Sequence, residues 1–563
     1  MSKYFNTEGP CYPKEHYMVN LDLRIQEIKK LIDSKKYFSI NRGRQYGKTT
    51  TLDMLQEKLR SQYSIFYISF EGLGQDAFQN ESAFCRLFAG LLYDTIDYGE
   101  IDGIEEAAAL ALKDMSKMDS QAADFRALSN LISMICKTSE KPVVLMIDEV
   151  DQAGSQPIFL SFLGMLRSKY LKMRQRPTFE SVILAGVYDI RNLKLKIRSE
   201  QEHQKNSPWN IAAEFDVNMG FDAGQIQEML FEYELDHSTG MDIEEMSKLL
   251  YSYTSGYPFL VSRLCKILDE KIPGIRKISD EKVLESSKIP DYKTANNKRF
   301  GGLISRSVGA YKTPYPWTKE GFLEAIKILS FEKNPLFDSL VNKLYDYPEL
   351  GEMIRSILFT GNSIPYNSGN HVIDIATMFG FIKNDHGAIA IANRIFETRL
   401  YDLFLSEKEV NSGIFKEGNI DKNQFVQNGI LDMDHVLKKF MEHWNDLYHS
   451  ADEKFIEENG RKFFLLYLKP IINGTGNYYI ESRTRDNRRT DIIVDYRGQQ
   501  YIIEVKIWRG NEYHTRGEAQ LADYLEAYHA KKGYLLSFNF NKNKKVGAKE
   551  VICGDKVILE IVV

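Results

Sequence analysis

"NRGRQYGKTTTL", residues 41–52, is the stretch on which the reading of this chain turns. It follows a short strand candidate, "YFSIN" at 37–41, and leads into a helical segment from about Lys48. A glycine-bearing loop in that setting aims backbone N–H groups and the positive end of a helix dipole at an anion. Lys48 would then reach the β- and γ-phosphates of a nucleotide, and Thr49 would hold Mg²⁺. The spacing departs from the usual phosphate-loop pattern, because Arg42 takes the slot of the first glycine and Gly43 comes one residue late. A basic turn opening a helix is the competing reading of these residues.

A second stretch weighs against that alternative. "PVVLMIDEVD", 142–151, is a continuous apolar run closing in acids, the pattern of a central parallel strand buried on both faces. Asp148 would hold Mg²⁺ through water, and Glu149 would polarise the attacking water as general base. A strand ending in solvated acids explains one such residue better than two adjacent ones. "SVILAGVYDI", 181–190, is a second run of the same type, and "SIFYISFEG", 64–72, is a further strand candidate. Strands alternating with helices over the first ~220 residues predict a parallel sheet covered by helices on both faces.

The 563 residues exceed one core, so three or four domains are expected. The net charge of −5 supplies no global attraction to nucleic acid, and any such contact needs a local basic patch. Five cysteines lie far apart with no Cys-x-x-Cys pair, which argues against a disulfide framework and a structural zinc and fits a reducing cytoplasm. No apolar leader core and no run of membrane-spanning length is evident, so a cytoplasmic protein is expected.

The C-terminal block raises a separate question. "DIIVDYRGQQYIIEVKIW", 491–508, reads as a half-buried hairpin carrying charges among apolar residues. With Arg497-Gly498 as a two-residue turn, Asp491 lies opposite Glu504, and strand alternation puts Lys506 on the same face. Two carboxylates supply hard-oxygen ligands for Mg²⁺ or Mn²⁺, and the lysine would orient water or stabilise developing phosphorane charge. A hairpin with a salt-bridged edge is the competing reading. The preceding helix "EKFIEENGRKFFLLYL" carries Glu457 and Glu458, of which Glu458 is the preferred further acid. After the hairpin, Gln520 and Tyr524 share a helical face. Four arginines in 481–491 and Lys531, Lys532, Lys542, Lys544, Lys545 and Lys549 could neutralise nucleic-acid phosphates, or form a solvated polar surface. The histidines form no metal set, and Tyr513 and His514, just past Lys506, could touch a substrate phosphate.

Two family resemblances follow from these residues. Arg42, Arg44, Tyr46, Gly47, Lys48 and Thr49 match the Arg-x-Arg-x-aromatic-Gly-Lys-Thr loop of AAA-like ATPases related to the STAND signalling class, a likeness covering about the first 410 residues. The resemblance implies a nucleotide site built from Arg42, Gly43, Arg44, Gln45, Tyr46, Gly47, Lys48, Thr49, Thr50 and Asp148. It also implies Tyr188 and Asp189 as γ-phosphate sensors and Gly256, Tyr257 and Pro258 as a lid motif near adenine. Arg191 and Arg198 stay open as arginine fingers. Asp491, Glu504 and Lys506 resemble the Asp…Glu-x-Lys pattern of the PD-(D/E)XK nuclease superfamily, which often has a glutamine at the place of Gln520.

The expected architecture is a multidomain α/β protein. It comprises a parallel-sheet ATPase core (1–220), a helical lid (221–285), a helical connector with a winged helix (286–410) and a restriction-endonuclease-like α/β domain (411–563). The winged helix is read over 371–404, with its hairpin at Asp385-His386-Gly387, and residues 406–425 are the best linker candidate. The expected function is ATP-regulated, metal-dependent cleavage of DNA, in bacterial defence or mobile-element biology by resemblance. The alternative is an ATPase switch with a catalytically degenerate C-terminal module. ATP and Mg²⁺ or Mn²⁺ are the implied cofactors, with no membrane, and a homo-oligomer or a regulatory partner protein is left open.

Overall fold

The protein is described from a computed structural model. It describes residues 3–118, 123–154, 156–187, 209–273, 316–360, 364–409, 412–427, 429–448, 457–472, 476–481, 490–496, 499–508, 511–528, 530–541 and 544–563. The chain divides into two units. The first holds Met1–Met229, Tyr257–Phe259 and Asp374–Gly380, and the second holds the rest.

In the first unit, helix α1 (Asp22–Asp33) leads to β1 (Tyr37–Asn41) and then α2 (Lys48–Leu59). Strand β2 (Ser64–Ser69) precedes α3 (Glu81–Asp97), α4 (Glu106–Lys117) and α5 (Phe125–Thr138). Strand β3 (Val143–Asp148), α6 (Pro157–Leu171) and β4 (Ser181–Gly186) follow. The four strands pair in parallel in the order β1-β4-β3-β2. Every residue of β3 and β4 is buried, which accounts for their unbroken apolar runs. One sheet face packs Phe66, Leu145, Ile147, Val182 and Leu184 with residues of α3–α6, including Phe84, Phe88, Ile132 and Phe162. Residues of opposite parity (Phe38, Ile40, Val144, Met146, Ile183) are equally buried, as strand alternation requires of a sheet covered on both sides.

Beyond this sheet come α7 (Ala223–His237), α8 (Ile243–Thr254), α9 (Pro258–Lys266), α10 (Lys319–Phe331), α11 (Pro335–Asp346) and α12 (Pro348–Thr360). The 371–404 region has the expected order of helix, hairpin and helix: α13 (His371–Met378), β5 (Ile382–Asp385), β6 (Ala388–Ile391) and α14 (Arg394–Glu409). His386 and Gly387 both take positive φ, as a two-residue hairpin turn demands.

The linker expectation fails. Residues Gly413–Asp421 form helix α15, capped by Ser412 and packed against α17 with Ile414 buried. Its polar composition masked this, because one narrow stripe suffices to bury a short helix. A short β-ribbon, β7 (Val426–Gln427) with β8 (Ile430–Leu431), leads to α16 (Met433–Leu447) and α17 (Glu457–Ile472). The remaining elements are β9 (Gly476–Glu481), β10 (Thr490–Tyr496), β11 (Gln499–Ile507), α18 (Asn511–Ala527), β12 (Lys532–Phe538), β13 (Gly547–Cys553) and β14 (Lys556–Val562). They build a mixed sheet in the order β13-β14-β12-β11-β10-β9. Strands β9, β10 and β11 are antiparallel, and β11 pairs with β12 in parallel after crossing through α18.

Gly418 shows how closely α15 approaches α17, because a Cβ there would lie 2.2 Å from the Tyr467 carbonyl oxygen. Gly418→Ala is therefore expected to destabilise the C-terminal region by about 1–3 kcal/mol. Gly164→Ala, in α6 with nothing within 4 Å of the new carbon, is expected to stabilise by about 0.5–1 kcal/mol. Thermal melts of the two variants should move in opposite directions.

Candidate functional site

The loop between β1 and α2 is held at both ends. Arg42 N donates to the Gly186 carbonyl at the end of β4 (3.2 Å), and Thr51 N and Oγ1 both donate to the Gly47 carbonyl at the start of α2. Two residues, Gln45 (φ 57°) and Gly47 (φ 75°), take left-handed conformations that fold the chain back onto the helix N-terminus. Gly43 has a different reason to be glycine. A side chain there would meet the Phe379 carbonyl at 3.2 Å and the Tyr257 hydroxyl at 3.6 Å. The glycine displaced from its usual slot thus accommodates a neighbouring segment of the same unit.

Lys48 is buried, and its ammonium donates to the carbonyls of Arg42 (3.0 Å) and Gly43 (3.2 Å). Burial pulls its pKa below the ordinary lysine value, while Glu149, Asp151 and Asp148 act in the opposite sense. Thr49 Oγ1 donates to Asp148 Oδ2 at 2.7 Å, and the other oxygen of Asp148 accepts from Glu149 N at 2.8 Å. The pair joins α2 to the end of β3 and presents hard oxygen donors beside the phosphate loop, a set that suits Mg²⁺. Glu149 is half-buried with φ 50°, and burial raises its carboxyl above the usual range, with Asp148 adding to the shift. A non-glycine residue in that conformation costs about 1–3 kcal/mol and is typical of sites where geometry matters.

The arginines divide in role. Arg42 Nη1 and Nη2 donate to the carbonyls of Asn41 and Val217, and its guanidinium lies 5.6 Å from the centre of the Phe215 ring. Its side chain therefore braces the loop from behind. Arg44 is exposed and faces solvent. Gln45 Oε1 is buried and accepts no hydrogen bond from the described protein. Tyr257 is fully buried, its hydroxyl donates to the Arg44 carbonyl, and its ring meets Tyr46 edge-on at 4.5 Å. Pro258 opens α9, as its fixed φ favours. Tyr188, Asp189, Arg191 and Arg198 lie outside the described residues.

The sequence reading missed two contributors. Asp151 Oδ2 accepts from Val187 N (2.5 Å), and a Cβ at Gly186 would sit 2.9 Å from its Oδ1. Its signal was present as the third acid of "DEVD". The other is the N-terminal segment, where Cys11 N donates to Thr50 Oγ1 at 3.1 Å. That segment has no periodicity to announce it.

The C-terminal hairpin has the register that a turn at 497–498 requires. Tyr496 pairs with Gln499 and Ile492 with Ile503, so Asp491 precedes the partner of Ile503 and Glu504 follows Ile503 itself. The turn residues and the Asp491 side chain lie outside the described residues, as do the side chains of Glu457, Glu458, Tyr513 and His514, residues 482–489 and Lys542. Glu504 is completely buried, and Lys506 Nζ stands 2.8 Å from its carboxylate. Gln520 Nε2 donates to the Tyr524 hydroxyl at 3.0 Å on α18. A second pair went unforeseen: buried Glu560, aligned with Glu504 across Leu535, is met by Lys549 at 2.8 Å. Among the described residues no three acidic, histidine or cysteine side chains gather around a cation position. No described helix is long and apolar enough to cross a membrane.

Lys48→Ala should eliminate ATP binding in a calorimetric titration, and Asp148→Asn should weaken the Mg²⁺ dependence of that binding at least tenfold. Unchanged affinity in both would remove the loop from the nucleotide site.

Comparison with known proteins agrees with the loop and strand. Residues 15–287, just under half of the chain, match the family model described as an AAA-like domain. No curated protein matches. Among solved structures, a Walker-type ATPase of Pyrococcus abyssi overlaps 70% of this chain and 99% of its own at 11% identity and a TM-score of 0.42. The ORC1 protein of Aeropyrum pernix, solved in complex with DNA, overlaps 69% and 94% at 9% identity and a TM-score of 0.28. The ORC2 protein of the same organism, in ADPNP and ADP complexes, overlaps 72% and 98% at 10% identity and a TM-score of 0.32. At these scores the structural overlaps carry no functional argument, and the family match stands on its own: residues 15–287 are similar to an AAA-like domain.

Proposed function

We propose that the chain is an ATP-regulated, metal-dependent nuclease acting on DNA. Residues 1–220 would serve as ATPase core, 221–285 as lid, 286–410 as connector and winged helix, and 411–563 as the nuclease domain. ATP binding is supported by the AAA-like family match and by the Thr49–Asp148 bond at the mouth of the loop. Lys48 would leave the carbonyls of Arg42 and Gly43 for the phosphates, and Glu149 would take the proton of the attacking water.

The observation that carries the nuclease half is the buried Glu504–Lys506 pair on β11, with β10 in register beside it. The element order supports it as well: α17, the β10–β11 hairpin, α18 and β12 follow the order of helix, hairpin, helix and strand expected from the superfamily resemblance. A divalent ion bound there would stabilise charge on the scissile phosphate. Glu504, the Val505 carbonyl, Asp491 and Glu458 are the residues proposed to hold it. Lys506 would position the attacking water, with Gln520 alongside. A cytoplasmic setting and a partner protein or self-assembly complete the proposal.

The second reading, an ATPase switch with a degenerate C-terminal module, is favoured by one observation. Glu504 is sealed from solvent and already neutralised by Lys506.

Purified protein incubated with plasmid and linear DNA, with and without ATP, in Mg²⁺ or Mn²⁺, separates the two. Cleavage lost in Glu504→Ala and in Lys506→Ala, with ATP affinity intact, is the expected result. Full cleavage by both variants would exclude this site, and absence of cleavage and of Mn²⁺ binding in the wild type would favour the degenerate module.

A further inference from the structure

A cavity of about 350 Å³ lies within the second unit, walled by α10, α11, α14, α17 and the start of β9. Its size falls within the range of small-molecule sites. Its lining includes an apolar set, Phe337, Leu340 and Val341 of α11 together with Leu403. It also includes three charged groups, Arg399 and Asp402 of α14 and Lys469 of α17. These give two cations against one carboxylate, a net charge of +1 among the lining side chains.

The charges are not equally satisfied. Lys469 Nζ stands 3.3 Å from Asp402 Oδ1, and the Tyr478 hydroxyl approaches the same oxygen at 3.5 Å. Asp402 is thus engaged by Lys469. Arg399 is half-buried, its guanidinium sits 4.5 Å from the centre of the Phe337 ring, and Nη1 donates to the Ser330 carbonyl in the last turn of α10. Among the described residues it forms no ion pair, and Asp402 and Asp338 act on it only at longer range. Burial accordingly pulls its pKa down. A helix-capping role explains one of its five N–H donors and leaves the planar fork at a cavity wall.

We propose that this cavity is a binding site for a small organic anion with an aromatic or apolar body. Its acidic group pairs with Arg399, and its body packs against Phe337, Leu340 and Val341. The walls come from α14, which follows the 388–391 strand, and from α17 and β9, which begin the C-terminal sheet, so occupancy would tie these elements together. The site goes beyond the nucleotide and nuclease readings and depends on neither.

The test uses the full chain with its nucleotide site saturated by ATP and Mg²⁺, titrated with 8-anilinonaphthalene-1-sulfonate and followed by fluorescence. Saturable binding of one probe per chain is expected, at least tenfold weaker in Arg399→Gln. Ser406→Trp, a bulky addition at an exposed lining position, should weaken it similarly without disturbing the core. The uncharged analogue N-phenyl-1-naphthylamine should bind wild type and Arg399→Gln equally, a distinction that a purely structural role for Arg399 would not produce. Three results overturn the proposal: no saturable binding, affinities of both variants within twofold of wild type, or equal losses for charged and uncharged probes.

Discussion

The hydrogen bond between Thr49 and Asp148 is the constraint around which the first unit is organised. It ties the first turn of α2 to the carboxyl end of β3, two elements separated by almost a hundred residues of chain. It forms where β1, β4 and β3 run side by side in parallel, with their carboxyl ends along one edge. Open α/β sheets bind ligands at that edge. The loop after β1, Asp148 at the end of β3 and Gly186 at the end of β4 all lie there. Burial makes the geometry strict. Asp148 and Lys48 are both nearly sealed from water, and each would be costly without the partners it has.

Much of this edge was legible in the sequence because it is written in local patterns. The unbroken apolar runs of β3 and β4 follow from burial on both faces, and Gly-Lys-Thr follows from the needs of a helix N-terminus. The contributions that escaped are those made by distant segments. Gly43 stands one residue late in the motif, and its reason to be glycine is the Phe379 carbonyl against it. Arg42 fitted a nucleotide-binding pattern, yet its guanidinium serves the carbonyls of Asn41 and Val217. Cys11 reaches Thr50 through its backbone N–H, a contact that no side-chain pattern encodes.

The C-terminal sheet shows the same division. Hairpin register could be deduced because a two-residue turn and strand alternation together leave little freedom. That Glu504 would be entirely buried could not, since it depends on α18 crossing over the sheet, with Gly517 above Lys506. The pairing of Glu560 with Lys549, a residue of the basic patch in sequence, escapes for a related reason. They lie on two separate strands, and only the β12–β14 and β13–β14 registers make them companions of the first pair. The polar composition of 406–425 points to a linker, although a glycine at position 418 allows the helix within it to pack tightly against α17.

The make-up of the first unit has a consequence for biosynthesis. Its parallel sheet is encoded within the first 186 residues, yet Tyr257–Phe259 and Asp374–Gly380 belong to the same unit. A ribosome must translate more than 330 further residues after Gly43 before Phe379, which abuts it, exists. Domains generally fold in order as the chain emerges. Here the earliest element of the nucleotide loop waits for one of the later ones, so the nascent sheet carries an unfinished loop until the polypeptide has passed residue 380.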